Sequence, residues 1–337
     1  MPDSNSSTRD GKRFALFLFP GQGSQYRGMG QDLYEAHACV RAVYEEAGDV
    51  LGYDMAELSF HDPNDQIHLT RYTQPALLTH SIACLRAYED QGDQHLVPQS
   101  SAGHSLGEYC ALVTSGALEF RTALSLVSRR GELMGQYGEG EMEALPLEVE
   151  EAAQLAQKHL CSVAACNLPD QTVVGGRPED LDALVAELTA RYPKKRSARL
   201  KTEGAFHTYY MVEAARHFRG VLDEAEIHSP DIQVLSNYTG TFHDSDSHTI
   251  KSCLFWQLFN PVLWNNNLIA AADSGIDTIV EFGGGIGRGE TPAEKKPNLA
   301  GIVKKTFRRA THPPAYHAVI NSETLTETLE ALSGYKE

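Results

Sequence analysis

The sequence predicts an α/β protein built on parallel strands, and three observations carry that expectation. Strand-like and helix-like stretches alternate along the chain, with no low-complexity linker or internal repeat. The run Phe14-Ala15-Leu16-Phe17-Leu18-Phe19 is apolar throughout, the pattern of a strand buried on both faces. Gly103-His104-Ser105-Leu106-Gly107 has the Gly-X-Ser-X-Gly form of a nucleophile elbow, the sharp turn from a strand into a helix.

In chain order, the first strand runs into Pro20-Gly21-Gln22-Gly23-Ser24-Gln25, a tight polar loop at its carboxyl end, where open parallel sheets bind ligands. Residues 97–102 read as the short strand that feeds the elbow, and Leu106, Tyr109, Cys110, Leu112 and Val113 recur after it at helical spacing. A helix is expected over 122–136, with Ala123, Leu126, Val127, Leu133 and Met134 on one face. Arg130 sits on that apolar face, whereas Arg129 points elsewhere. The pattern changes over 140–202, where 162–165 and 172–174 are short and strand-like and Pro178–Arg191 is helical. Thr278–Phe282 reads as another buried strand.

The elbow points to acyl-group chemistry. Its glycines let the chain turn so that the Ser105 hydroxyl is exposed and the Leu106 N–H faces a developing oxyanion. The loop that Gln22 orients can supply a second backbone donor. Serine is a weak nucleophile until a neighbour takes its proton, and fourteen histidines compete for that role. His104, at the X position, faces away from the hydroxyl and is expected to pack or hydrogen-bond. A guanidinium on a buried face is costly unless a carboxylate pairs with it. For Arg130 that carboxylate could belong to an internal Asp or Glu or to a bound acyl group.

Composition narrows the class. A chain of 337 residues with 42% hydrophobic and 22% charged content can bury a substantial core. The first ten residues lack the apolar core of a signal peptide, and no apolar run approaches the ~18–20 residues that span a bilayer. The expectation is a soluble cytoplasmic protein with no membrane partner. A net charge of −16 argues against nucleic acid, which needs concentrated Lys and Arg. The six cysteines, including the Cys161 and Cys166 pair, lack zinc-site spacing and read as reduced, mostly buried thiols, with Cys110 packing its helix; no metal site is expected. The glycines of 283–289 do not fit a dinucleotide fingerprint. No heptad pattern announces a coiled coil, so a monomer is expected.

Five motifs stand in one order: Phe19-Pro-Gly-Gln-Gly-Ser-Gln25, Thr73-Gln-Pro-Ala76, Gly103-His-Ser-Leu-Gly-Glu-Tyr109, Ala205-Phe-His207 and Gln257-Leu-Phe-Asn-Pro-Val262. In this the chain, from about residue 14 to 307, closely resembles the malonyl-CoA:acyl carrier protein transacylases and the acyltransferase domains of polyketide synthases. The resemblance implies a hydrolase-like large subdomain with a parallel sheet (13–139 and 203–320) and an inserted ferredoxin-like small subdomain (140–202). A disordered tail (1–12) and a C-terminal helix or tail (321–337) would flank them. It implies His207 as the base, and the Gln257 main-chain carbonyl as the group that orients it, with the side chain incidental. Arg130, in an Arg-Gly-x-x-Met setting, would hold the free carboxylate of malonyl. Phe206 beside the base would favour malonyl over methylmalonyl. Asn167 belongs to an Asn-x-Asn-x-Pro-x-Gln pattern that keeps Pro169 and Gln171 but has Ala165 in place of its first asparagine.

The implied reaction is a ping-pong transfer from coenzyme A to the phosphopantetheine thiol of an acyl carrier protein, in polyketide or fatty-acid biosynthesis. It needs no metal or redox cofactor; coenzyme A enters as substrate and phosphopantetheine arrives on the partner. Carrier proteins are acidic, so an acidic transferase needs a local basic patch. Two clusters offer one: Lys194, Lys195, Arg196, Arg199 and Lys201, and then Lys304, Lys305, Arg308 and Arg309. Two departures stand out. The usual Gly-Pro-Gly after the late strand is Gly283-Gly284-Gly285, and 288–296 looks like an altered loop. The alternatives are a hydrolase clearing acylated carriers, a transferase moving an unusual acyl unit between carriers, and a noncatalytic carrier-binding module.

Overall fold

The computed structural model describes residues 14–91 and 96–333; the expected N-terminal tail at 1–12 and the end of the chain from 334 lie outside the described residues. Its strands are β1 (Ala15–Phe19), β2 (Ser100–Gly103), β3 (Glu141–Leu145), β4 (Ser162–Leu168), β5 (Gln171–Gly176), β6 (Ala198–Leu200), β7 (Gln233–Val234), β8 (Thr278–Phe282) and β9 (Ala315–Val319). Five of them form one sheet in the order β7-β2-β1-β8-β9, with every pairing parallel. All five residues of β1 are buried, as its unbroken apolar run demands. Around it Phe17 and Phe282 lie 4.7 Å apart, and Tyr88 closes on Phe282 at 5.4 Å.

The helix Thr70–Glu89 is buried along most of its length, and beside it Phe120–Tyr137 covers the same core. A Cβ on Gly131 would lie 2.6 Å from the Thr70 carbonyl, so a glycine is what lets these helices approach. The strand expected over 97–102 begins only at Ser100, where pairing with Leu16 starts. Pro98 has no N–H to give a ladder, and Val97 is exposed.

The other four strands form an antiparallel sheet in the order β4-β5-β3-β6. The helices Val149–Lys158 and Pro178–Arg191 separate its strands into the β-α-β-β-α-β sequence of a ferredoxin-like unit. It has its own core, in which Leu145, Leu155, Val174, Leu181, Leu184 and Leu188 are almost fully buried. The register of β4 slips between Val163 and Ala165, and there the strand is stitched to the larger unit. Cys166 N–H donates to Val262 O at 2.8 Å, and Val262 N–H to Ala164 O at 3.0 Å. The cleft between the two sheets lies above the carboxyl ends of β1 and β2. Among the described residues no helix is long and apolar enough to cross a membrane.

Candidate active site

The elbow forms where β2 ends. Ser105 has φ +54, a left-handed conformation that costs a non-glycine residue energy and marks sites the surrounding structure holds in place. Its glycines are sterically required. A Cβ on Gly103 would sit 1.8 Å from the Gly107 carbonyl carbon, and one on Gly107 2.3 Å from Phe19 O. The turn is pinned from behind by Asn237, which is fully buried: its Oδ1 accepts from Ser105 N–H at 2.6 Å, and its Nδ2 donates to Gly103 O at 2.8 Å.

Ser105 Oγ lies 2.7 Å from His207 Nε2, and His207 Nδ1 lies 2.7 Å from the Gln257 carbonyl oxygen. A carbonyl can only accept, so Nδ1 carries the proton and Nε2 is left basic towards the serine. Burial, with the Arg130 charge nearby, lowers the His207 pKa to about 3, which keeps the ring neutral.

Arg130 is 1% exposed. Its Nη1 donates to Gln74 Oε1 at 2.8 Å; its Nη2 donates to Gln257 Oε1 at 2.9 Å and to Ser105 Oγ at 3.2 Å. All three acceptors are neutral. Among the described residues no Asp or Glu forms a direct ion pair with it, although the Glu108 carboxylate, bonded to the far end of the Gln257 amide, acts on its charge through space. The guanidinium also lies 5.7 Å from the Tyr109 ring centre.

A cavity of about 350 Å³ opens on these groups, lined by Gln22, Ser105, Arg130, Asn167, Phe206 and His207 among others. Gln22 Nε2 donates to Thr70 Oγ1 at 3.1 Å, and the loop runs so near the elbow that a Cβ on Gly21 would meet His104 O at 2.5 Å. Among the described residues neither the Gln22 nor the Leu106 backbone N–H donates a hydrogen bond. Phe206 is nearly buried beside the imidazole. His104 turns away from the serine: its Nε2 lies 2.8 Å from Asn167 Oδ1, and its ring packs 5.3 Å from Trp264. Asn167 thus ties the small unit to the elbow. Cys110 is buried and its thiol is pushed up to about 12 by burial, as suits a packing residue.

Comparison with known proteins decides what this constellation belongs to. The family model described as "Acyl transferase domain" matches residues 16–283. The malonyl CoA-acyl carrier protein transacylase of Bacillus subtilis (strain 168) is 36% identical over 302 residues, covering 87% of this chain and 90% of its own. The chain belongs to the malonyl-CoA:acyl carrier protein transacylase family. BaeC of Bacillus velezensis, a polyketide biosynthesis malonyl CoA-acyl carrier protein transacylase, is 35% identical over 279 residues, covering 80% of this chain and 92% of its own. Among solved structures, a malonyl-transacylase in complex with its type II polyketide synthase acyl carrier protein superposes with a TM-score of 0.83 at 31% identity, over 94% of this chain and 99% of that one.

Against the transacylase pattern, several contributors escaped the sequence reading. The Gln257 side chain is not incidental: besides accepting from Arg130, its Nε2 donates to Ser105 O at 3.0 Å and to Glu108 Oε2 at 2.7 Å. Glu108, the acid of the Gly-His-Ser-Leu-Gly-Glu motif, also accepts from Asn237 N–H at 3.0 Å and pairs with His243 at 2.7 Å. Gln74 stood in a quoted motif without a role. Asn237 and His243 gave no signal, because only folding brings residues 129 and 135 positions away to Glu108.

The late glycines depart from the transacylase Gly-Pro-Gly for a visible reason. Gly284 has φ +65, which proline cannot adopt, and a Cβ there would meet Ser24 Oγ at 2.6 Å. The loop beyond it folds back on itself, with Ile286 N–H donating to Lys296 O at 2.9 Å. The two basic clusters differ. Arg199 is held by Glu141, Glu143 and Asp182, and Lys195 donates to Pro146 O. Lys305, Arg308 and Arg309 line a groove of about 360 Å³ with Leu168, Pro169 and Asp170. Among the described residues none of these three cations, nor Lys304, forms an ion pair.

Proposed function

We propose that this enzyme moves a malonyl group from coenzyme A to the phosphopantetheine thiol of an acyl carrier protein through an acyl-Ser105 intermediate, in polyketide or fatty-acid biosynthesis. The observation that carries the reading is the buried Arg130 guanidinium, bonded only to neutral oxygens and 3.2 Å from the nucleophile. A carboxylated acyl group seated there gains charge-assisted hydrogen bonds and sets its thioester carbonyl beside Ser105.

His207 Nε2 takes the Ser105 proton as Oγ attacks the thioester carbon. The oxyanion is received by the backbone N–H groups of Gln22 and Leu106, which donate to no other acceptor among the described residues. When the carbon–sulfur bond breaks, the imidazolium returns its proton to the departing coenzyme A thiolate. The carrier thiol then repeats the sequence on the acyl-serine, with His207 as base again. The main-chain carbonyl of Gln257 holds the tautomer in the place where many triads use a carboxylate. Phe206 narrows the space beside the acyl α-carbon, and Asn167 keeps His104 and the cleft wall in register. The acidic carrier docks against Lys305, Arg308 and Arg309, which form no ion pair among the described residues, rather than against Arg199, which three carboxylates already hold. The reading places the enzyme in the cytoplasm as a monomer.

Intact-protein mass spectrometry after brief exposure to malonyl-CoA, followed by a chase, tests this. The expected result is a malonyl adduct absent from Ser105→Ala, stable in buffer and discharged by holo carrier protein. Replacing Lys305, Arg308 and Arg309 by Glu should slow discharge roughly tenfold while adduct formation persists. Rapid discharge in buffer would make the enzyme a hydrolase, and no adduct would overturn the malonyl assignment.

A further inference from the structure

Behind the nucleophile lies an ion pair that the reaction scheme does not use. Glu108 Oε1 and His243 Nε2 are 2.7 Å apart, and both side chains are fully shielded from solvent. The other carboxylate oxygen, Oε2, accepts from Asn237 N–H at 3.0 Å and from Gln257 Nε2 at 2.7 Å. The opposite end of the Gln257 amide, Oε1, accepts from Arg130 Nη2 at 2.9 Å. A hydrogen-bonded chain therefore runs His243, Glu108, Gln257, Arg130, and its last member touches Ser105 Oγ.

The direction of that chain has two consequences. An ionised Glu108 can only accept, so it fixes the Gln257 amide with its nitrogen towards Glu108 and its oxygen towards Arg130. The second concerns charge. Without His243, the buried Glu108 anion and Arg130 cation would cancel, and a substrate carboxylate would enter as an excess buried charge. With a protonated His243 the same group carries one positive charge, matched to one incoming carboxylate. Burial works against that proton, but the Cys253 thiol beside the ring and Glu108 outweigh it and carry the His243 pKa up to about 9.

We propose that the Glu108–His243 pair sets the charge of the acyl pocket: the imidazolium neutralises Glu108, so that Arg130 keeps its full charge for the acyl carboxylate. His243 is thus a positioning and specificity residue that never touches substrate. The proposal rests on the assignment of Arg130 to the malonyl carboxylate.

The test compares Ser105 acylation by malonyl-CoA and by acetyl-CoA, the second lacking the carboxylate, in four proteins. Arg130→Ala is the control; if it keeps the malonyl preference, the assignment of Arg130 fails first. With that control behaving as assigned, His243→Gln is expected to lower the malonyl-to-acetyl ratio of kcat/KM by roughly tenfold, chiefly through malonyl. The double variant Glu108→Gln with His243→Gln removes both charges, keeps acceptors for Asn237 and Gln257, and should bring the ratio back towards wild type. A merely structural pair would slow both donors alike and be no better in the double variant. An unchanged ratio in His243→Gln, or no recovery in the double variant, overturns the proposal. Should His243→Gln fail to fold, the neutral double variant decides alone: retained preference supports charge balance, and lost preference refutes it.

Discussion

Arg130 faces the active-site cleft, whereas Arg199, on β6 of the small unit, pairs with Asp182 of the helix Pro178–Arg191, and the two have opposite surroundings. On the floor, above the parallel sheet, Arg130 is buried and its hydrogen bonds go to Gln74, Gln257 and Ser105. In the small unit, Arg199 of β6 reaches Glu141, Glu143 and Asp182 and is held firmly charged by them. The side chain is the same, and the counter-charges differ. An arginine surrounded by carboxylates has spent its binding capacity on the fold, where a partly exposed pair contributes little. A buried arginine without one is costly to the fold and keeps that capacity for a ligand. On the surface, Arg199 is the one member of its basic cluster that forms ion pairs among the described residues, whereas Lys304, Lys305, Arg308 and Arg309 form none.

Substitutions can break this contrast in graded steps. The largest effect is expected at Arg130, where alanine should slow acylation by malonyl-CoA by roughly 10²–10³-fold, the loss of two charge-assisted hydrogen bonds. Next comes Gln257→Ala, expected to slow acylation roughly 10- to 100-fold because it frees Arg130, Ser105 O and Glu108 at once. Single-turnover acylation kinetics check it, and a loss under twofold would return the side chain to the incidental role the motif alone suggested. The smallest belongs to Arg199→Ala, expected to cost about 1 kcal/mol by urea unfolding and to leave the malonyl-to-acetyl ratio unchanged. A change in that ratio would mean that Arg199 also feels the acyl group.

Much of this was legible in the chain because the floor is built from local signals. The unbroken apolar run of β1, the glycines flanking Ser105 and the helical spacing around Arg130 each act within a few residues, and each forms the expected element. The helix Pro178–Arg191 and β8 also fall at their expected bounds. The pairing of Ser105 with His207 across 102 positions was legible only through the ordered motifs. What stayed hidden was the layer beneath the nucleophile. Asn237 and His243 carry no periodicity or spacing that marks them, and their roles exist only once β7 and the chain after it lie beside the elbow. The Gln257 side chain was undervalued for a related reason: one carbonyl explained its position, and three side-chain hydrogen bonds appear only in three dimensions.

The most direct measurement is the kcat/KM for Ser105 acylation by malonyl-CoA and by acetyl-CoA in wild type, Arg130→Ala and Arg199→Ala, each protein first shown to be folded. The expected result is a strong malonyl preference in wild type and Arg199→Ala that collapses or inverts in Arg130→Ala. A malonyl preference that survives the loss of Arg130 would contradict the claim that its unpaired charge is kept for the acyl carboxylate.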